Sequence, residues 1–368
     1  MKNTFGNNIT ITLFGESHGP CVGAVLDGVP AGIEIDMELM KRKLGQRKAS
    51  SDLSTPRQED DLPQFLSGLK DGVTEGTPLT IMIPNTKAIR HDYNSLAFRP
   101  RPGHADYAAD VRYKGYEDKS GGGHFSGRLT APIVAAGALC TQMLREKGIA
   151  IGTHIASLHG ISDRPFDEEN LNSDIALLET ETFPVLDEEA GEKMKEAIRQ
   201  ARSEQDSLGG ILDTAITGIE GGIGEPWFDS VESMLAHAMF SIGGLKGIEF
   251  GSGFGFADMK GSEANDPFAL KGDQVVTLTN HNGGLNGGIT NGMPIRFRTV
   301  IKPTPSISKK QQTVDFKENT ETEIEISGRH DPAIIHRARA VVDALSAFVI
   351  ADLLMSRYGT AYFEGERK

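Results

Sequence analysis

"DPAIIHRARAVVDALSAFVIADLLMSRYG", residues 331–359, carries the longest helical signal in the chain. Ile334, Ile335, Ala338, Val341, Val342, Leu345, Phe348 and Val349 recur at helical spacing. Asp331 reads as the N-cap, Pro332 as the first helical residue and Gly359 as the stop. "APIVAAGALCTQMLREKG" reads as a second helix, with Thr130 as cap, Pro132 in the first turn and Gly148 as stop. Asp36 is placed to cap "MELMKRKLGQ", and "EEAGEKMKEAIRQARSEQ" and "DSVESMLAHAMFS" add two more helices. Around them lie short stretches with a strand's alternation of apolar and polar residues: "ITITLFGES", "LTIMIPN", "GILDTAITGI", "QVVTLTN", "MPIRFRTVI" and "TEIEIS". Strands beside strands, with helices interspersed, point to an α+β fold with antiparallel sheets rather than a regular βαβ alternation. No low-complexity linker divides the chain. The acidic stretch 162–190 reads as a surface insertion. "LDGVPAGIEID" and "ITGIEGGIGEP", each ahead of a helix, hint at a duplicated strand–loop–helix unit.

The bulk numbers set limits. With 368 residues, 38% of them hydrophobic, the chain can bury a full core. A net charge of −13 argues against nucleic-acid and anionic-membrane partners. Cys21 and Cys140 form no CxxC pair, so neither a disulfide framework nor a cysteine-ligated zinc is expected, and no metal site is read. No apolar leader opens the sequence and no stretch reaches the ~18 apolar residues of a membrane span, which reads as a soluble cytoplasmic protein. Glycine is abundant, 43 residues, without a collagen-like period; many positions must need positive φ or close backbone approach.

GxxxxGK[ST], HExxH and GxGxxG motifs are all missing. Five polar, glycine-dense clusters remain: "FGESHG" with Ser17 and His18; "FRPRPGHADY" with Arg99, Arg101 and His104; "KSGGGHFSGRLTAP"; "NGGLNGGITNG" followed by "IKPTPSIS"; and "GRHDPAIIHR" with Arg329, Asp331 and Arg337. Residues 41–58 add six basic side chains, Lys41, Arg42, Lys43, Arg47, Lys48 and Arg57, against one acid, Asp52. Arginine suits bidentate contacts to carboxylate and phosphate. A glycine-rich turn running into a helix N-terminus, as at 120–130, favours an anion. Each feature also has an ordinary explanation. A histidine after a strand can be structural, Asp before Pro is an ordinary N-cap, a basic run can be a solvated helix face, and a GGG run is usually a loop.

Taken in order, "FGESHG", "DGVPAG", "FRPRPGHADY", "GGGHFSGRLT", "QDSLGG", "GGLNGGITNG", "KPTPSI" and "GRHDP" resemble the chorismate synthase family, over residues 11 to about 340. The resemblance implies a single domain over 1–368. Its fold would be a β-α-β sandwich, with internal helices between antiparallel sheets and an internal duplication. It implies an anti 1,4-elimination of phosphate from 5-enolpyruvylshikimate 3-phosphate to give chorismate, with reduced FMN (FMNH2) as cofactor. It further implies a homotetramer and, since no flavin-reductase domain is visible, an external flavin reductase or other source of reduced FMN.

By the same resemblance, Ser17, Arg47, Arg101, Arg128 and Arg329 would meet the substrate. His18 would act as acid toward the leaving phosphate, a role suited to imidazole near neutral pH. His104 would sit against the flavin's N1/O2 edge, and Asp331 would help remove the ring proton through flavin N5. His124, Phe125, Ser126, Gly243, Gly244, Gly287, Lys302, Pro303, Thr304, Pro305, Ser306 and Arg329 would contact the flavin. His124 stands where the family commonly has arginine. Asp52 or a gap stands where it commonly has a second phosphate-facing arginine; either Arg57 or a neighbouring lysine takes its place, or that contact is absent. Two other readings stay open: a flavin- or phosphate-binding homologue without catalysis, and a different lyase or phosphotransferase acting on a phosphorylated sugar acid.

Overall fold

The computed structural model describes residues 3–48, 53–54, 61–86, 98–326 and 331–366. Its frame is two five-stranded antiparallel sheets. The first joins β1 (Thr4–Phe5), β2 (Thr10–Gly15), β3 (Cys21–Asp27), β4 (Gln64–Ser67) and β5 (Leu79–Pro84) in the order β1-β2-β3-β5-β4. The second joins β6 (Ala150–Leu158), β7 (Ile161–Ser162), β8 (Gly210–Thr217), β9 (Leu245–Phe250) and β10 (Ile295–Ile301) in the order β9-β10-β8-β6-β7. The alternation expected of "LTIMIPN" and "MPIRFRTVI" is present: Leu79, Ile81 and Ile83, and Ile295, Phe297 and Ile301, all face inward and are buried.

Between the sheets lie α3 (Thr130–Glu146) and α7 (Ile335–Tyr358), α3 against β3 and β5, α7 against β6 and β8. This is the β-α-β sandwich. The two helices pack on each other through Gly137, where a Cβ would fall 2.3 Å from that of Ala344. Only glycine admits that approach. α1 (Met37–Arg47) packs against both inner helices and α6 (Val231–Met239) against α7. Asp36 caps α1, its carboxylate accepting from Leu39 N at 2.8 Å. Two expected caps differ. α7 starts at Ile335 with no side-chain cap, because residues 331–334 run ahead of the helix and Asp331 is engaged by Arg337 instead. Thr130 lies inside α3, its hydroxyl donating to Gly127 O at 2.6 Å.

The echo noticed in the sequence is a structural duplication. Thr74 Oγ1 donates to Pro30 O and accepts from Ile33 N; Thr290 Oγ1 donates to Glu220 O and accepts from Ile223 N. The flanking Gly28 and Gly218 share φ +80°. The order β1-β2-β3-β5-β4 maps onto β7-β6-β8-β10-β9, with α1 matching α6 and α3 matching α7.

Within 162–190, α4 (Leu171–Thr180) lies on the outer face of the second sheet. Leu171, Ile175 and Leu178 form a second apolar cluster there with Phe166, Leu186 and Ala215. Asp163 ties it down, accepting from His154, Leu186 N and Asp187 N. α5 (Glu188–Ser203) follows, capped by Asp187.

Candidate active site

One end of the sandwich collects the chemistry. There β2 turns into β3 through Ser17 and His18, β10 runs out into residues 302–308, and β8 begins after Ser207. The C-terminus of α1 and the N-termini of α3 and α7 open toward the same end, bringing Arg47, Arg128 and Arg337 together: Arg337 Nε donates to Arg47 O at 2.9 Å, and Arg47 Nη1 to Gly127 O at 3.3 Å.

The triple glycine runs between the two histidines. Gly121, Gly122 and Gly123 have φ of 62°, 99° and 51°, values that side chains other than glycine's adopt at a cost. A Cβ on Gly121 would fall 2.1 Å from His18 Cε1, and one on Gly122 would fall 3.6 Å from His104 Cε1 and 3.8 Å from Arg101 Nη2. Gly123 O accepts from Ser17 N at 3.1 Å. Ser17 Oγ donates to Ser120 O at 3.2 Å, so it accepts from His18 Nδ1–H at 3.0 Å. His124 donates from Nδ1 to Gly15 O at 2.8 Å, fastening the loop to β2. Phe125 is exposed, edge-on to Tyr113 at 6.1 Å. Ser126 Oγ accepts from Arg128 N at 3.2 Å and caps the turn that leads into α3.

Three carboxylates hold the basic groups. Asp106, at the start of α2 (Asp106–Tyr113), takes a bidentate contact from Arg101, Nε and Nη2 both at 2.7 Å, and accepts from His104 Nδ1 at 2.6 Å. Burial alone would raise its carboxyl, but hydrogen bonds from Arg101 and His104 outweigh that and hold it far below the usual carboxylate range. Nδ1–H of His104 is thus committed to Asp106. Asp61 bridges Arg47 Nη2, at 2.8 Å, and Arg128 Nη1. Asp331 pairs with Arg337. Arg128 Nε also donates to Asn85 Oδ1 at 2.9 Å, and Asn85 Nδ2 donates to Glu16 O and Gly19 O, tying the arginine to the loop of Ser17 and His18.

Residues 302–306 close the other side. Lys302 Nζ donates to Gly103 O at 2.5 Å, and Arg101 Nη1 to Ser306 Oγ at 3.4 Å. A Cβ on Gly103 would sit 3.4 Å from Pro305 Cβ. Pro303 packs on Gly209, and Thr304 O accepts from Ser207 Oγ at 2.7 Å. Lys302 N donates to Gly244 O at 2.9 Å; a Cβ on Gly244 would lie 3.3 Å from Ile334, while one on Gly243 would meet nothing within 4 Å. Thr304 Oγ1 is buried with no hydrogen-bond partner. An orphaned hydroxyl in a loop with a lysine and a serine is what a phosphorylated ligand would satisfy.

Two expected residues stand apart. Gly287 lies in the turn ahead of β10, paired with the 220–225 turn, whereas Lys302 follows β10. Six residue steps at ~3.3 Å separate the two ends of that strand, about 20 Å. Within one chain Gly287 is therefore not brought to the other candidates. Arg329, like Asp52 and Arg57, lies outside the described residues. Sequence reasoning also passed over Asp61, Asn85 and Asp106. Asp106 was the most accessible of these, two positions after His104. Asp61 lies just beyond the basic run of residues 41–58.

An antiparallel sandwich whose one end gathers arginines, two imidazoles and a run of glycines is an arrangement suited to anionic ligands. The profile of a family described as chorismate synthase matches residues 9–355. A chorismate synthase of Pyrococcus abyssi is 45% identical over 352 residues, covering 96% of this chain and 97% of the relative. One from Lachnoclostridium phytofermentans is 45% identical over 356 residues, covering 96% and 95%. A crystal structure of chorismate synthase superposes with a TM-score of 0.76 at 28% identity, covering 96% of this chain and 94% of the other. The chain belongs to the chorismate synthase family. Its function is accordingly that of a carbon–oxygen lyase of the shikimate pathway, eliminating phosphate from 5-enolpyruvylshikimate 3-phosphate to leave chorismate.

Proposed function

We propose that this elimination takes place at the end of the sandwich just described and requires reduced FMN. The observation that carries the reading is the convergence of His18, His104 and Arg101 on two adjacent glycines, Gly121 and Gly122. Arg47, Arg101 and Arg128 supply positive charge to the substrate's phosphate and carboxylates, with Ser17 beside them and Arg329 as a further candidate. His18, its Nδ1–H held by Ser17, presents Nε2 to the departing phosphate; as the imidazolium, with Nε2 protonated as well, it is hydrogen-bond donor and acid there. Asp331, beside Arg337, holds the proton lost from the ring.

Lys302, Thr304 and Ser306 would hold the flavin phosphate; the unpartnered Thr304 hydroxyl supports this fit. Pro303, Pro305, Gly243, Gly244, His124, Phe125 and Ser126 would border the ring, where glycine admits backbone to a flat ligand. Bound there, reduced FMN would lend electron density to the substrate and recover it. His104, its Nδ1–H given to Asp106, keeps Nε2 for the flavin's edge. Gly287 joins these candidates by resemblance alone.

The reduced flavin comes from an external reductase or another donor, the chain works as a homotetramer, and it acts in the cytoplasm. No helix among the described residues is long and apolar enough to cross a membrane. The flavin site is tested without turnover by titrating oxidised FMN against the wild type and Thr304→Val. Weaker binding by the variant, with unchanged melting, is expected. Equal affinity would remove Thr304 from the site.

A further inference from the structure

Asp61 lies in none of the stretches that carry the family resemblance, yet its carboxylate is almost fully enclosed. Its side chain is 1% exposed, and those of Arg47 and Arg128 are 8% and 7%. Each oxygen serves one arginine: Oδ2 accepts from Arg47 Nη2 at 2.8 Å and Oδ1 from Arg128 Nη1. The two guanidiniums come from elements far apart in sequence, the last turn of α1 and the turn before α3.

Two enclosed like charges side by side are unfavourable without a counter-ion. Burial, chiefly, and the neighbouring Arg337 and Arg128 push the Arg47 guanidinium below its ordinary value, and Asp61 opposes them. Burial alone would raise the Asp61 carboxyl, but Arg47 and Arg128 hold it below the usual range, so it is ionised at neutral pH. One carboxylate between two guanidiniums still leaves the group a net positive charge. Three further donor nitrogens are fixed as well: Arg128 Nε on Asn85 and Nη2 on Pro84 O, and Arg47 Nη1 on Gly127 O and Thr130 Oγ1. Arg47 Nε is buried with no partner.

We infer that Asp61 is a positioning residue of the anion site: it locks Arg47 and Arg128 into one arrangement before substrate arrives and keeps their combined charge tolerable in the ligand-free protein. This rests on the reading that these two arginines bind the substrate. Asp61 itself touches no substrate atom; it acts through the guanidiniums.

The test is Asp61→Asn with Asp61→Glu. Asp61→Asn should raise KM for 5-enolpyruvylshikimate 3-phosphate at least tenfold while the affinity for oxidised FMN stays within twofold of wild type. Asp61→Glu, which keeps the charge, should recover part of that loss. Calorimetric titration with inorganic phosphate should show the same order of affinity: wild type, then Glu, then Asn. An unchanged KM in a folded Asn variant would overturn the inference. So would tighter phosphate binding, which would make Asp61 an occupant that substrate displaces. If the Asn variant does not fold, the Glu variant decides: unchanged KM and phosphate affinity count against positioning. The phosphate titration needs no turnover, so it reads the role of Asp61 even if the assigned reaction fails, whereas an inactive wild type overturns only the reaction.

Discussion

Gly121 lies against the imidazole of His18 so closely that a Cβ there would fall 2.1 Å from Cε1 and 2.5 Å from Nδ1. The Ser17–His18 hydrogen bond is made at that same Nδ1. A methyl group on Gly121 must therefore displace the ring from Ser17. It must also accept φ +62°, which costs an L-residue about 1–2 kcal/mol. Gly121→Ala should lower kcat at least tenfold while melting falls by only a few degrees. Wild-type turnover would mean that the orientation of His18 does not matter.

Asp106→Asn should act on two groups at once, because one carboxylate holds both Arg101 and His104. Hydrogen bonds to charged groups contribute about 1.5–3 kcal/mol each, so the expected loss in kcat/KM is one to two orders of magnitude or more. Flavin and substrate affinity should both weaken, in contrast to Asp61→Asn, where only the substrate term moves. Titrations of the two ligands separate these outcomes.

His336 makes acid stability a further test. It is 1% exposed beside Arg337, and its Nε2 lies 2.9 Å from Ser54 Oγ. Burial, with Arg337 adding to it, lowers its pKa to about 4. The unfolded chain takes up this proton near pH 6.5 and the folded chain only near pH 4, so stability is complete above 6.5 and falls on acidification toward 4. The slope is roughly 1.4 kcal/mol per pH unit. Chemical denaturation from pH 7 to 4.5 should show this loss in the wild type, and a smaller one in His336→Gln. Equal slopes would show that His336 is not the group responsible.

Gly137→Val should be among the most destabilising substitutions in the core. Its side chain would enter the backbone of Ala344, 2.5 Å from the Cα, at the crossing of α3 and α7. Overpacking of this kind costs typically 1–3 kcal/mol and sometimes more. Thermal unfolding is the measurement, and an unchanged midpoint would contradict the sandwich packing.

The parts of the fold with a one-sided environment were the parts the sequence displayed. β5 and β10 bury one face, so their residues alternate, and α1 carries its cap at Asp36. β6 has no such pattern because α4 covers its outer face: residues 152–155 are buried on both sides. The Asp331–Pro332 pair looked like a helix start, but Arg337 takes the carboxylate and the helix begins at Ile335. The basic and glycine-rich residues of the site stood out locally. Asp61 and Asp106 did not, because their meaning lies in partners 14 and 67 residues away for Asp61, and in an arginine facing them across a turn for Asp106.

The most direct test of the central claim is anaerobic turnover by the purified protein. It is supplied with 5-enolpyruvylshikimate 3-phosphate and chemically reduced FMN, and chorismate absorbance and released phosphate are followed together. Equal amounts of chorismate and phosphate, with no product when oxidised FMN is supplied alone, are predicted. No product with fresh reduced FMN would contradict the assigned function, and product with oxidised FMN alone would contradict the requirement for reduced flavin.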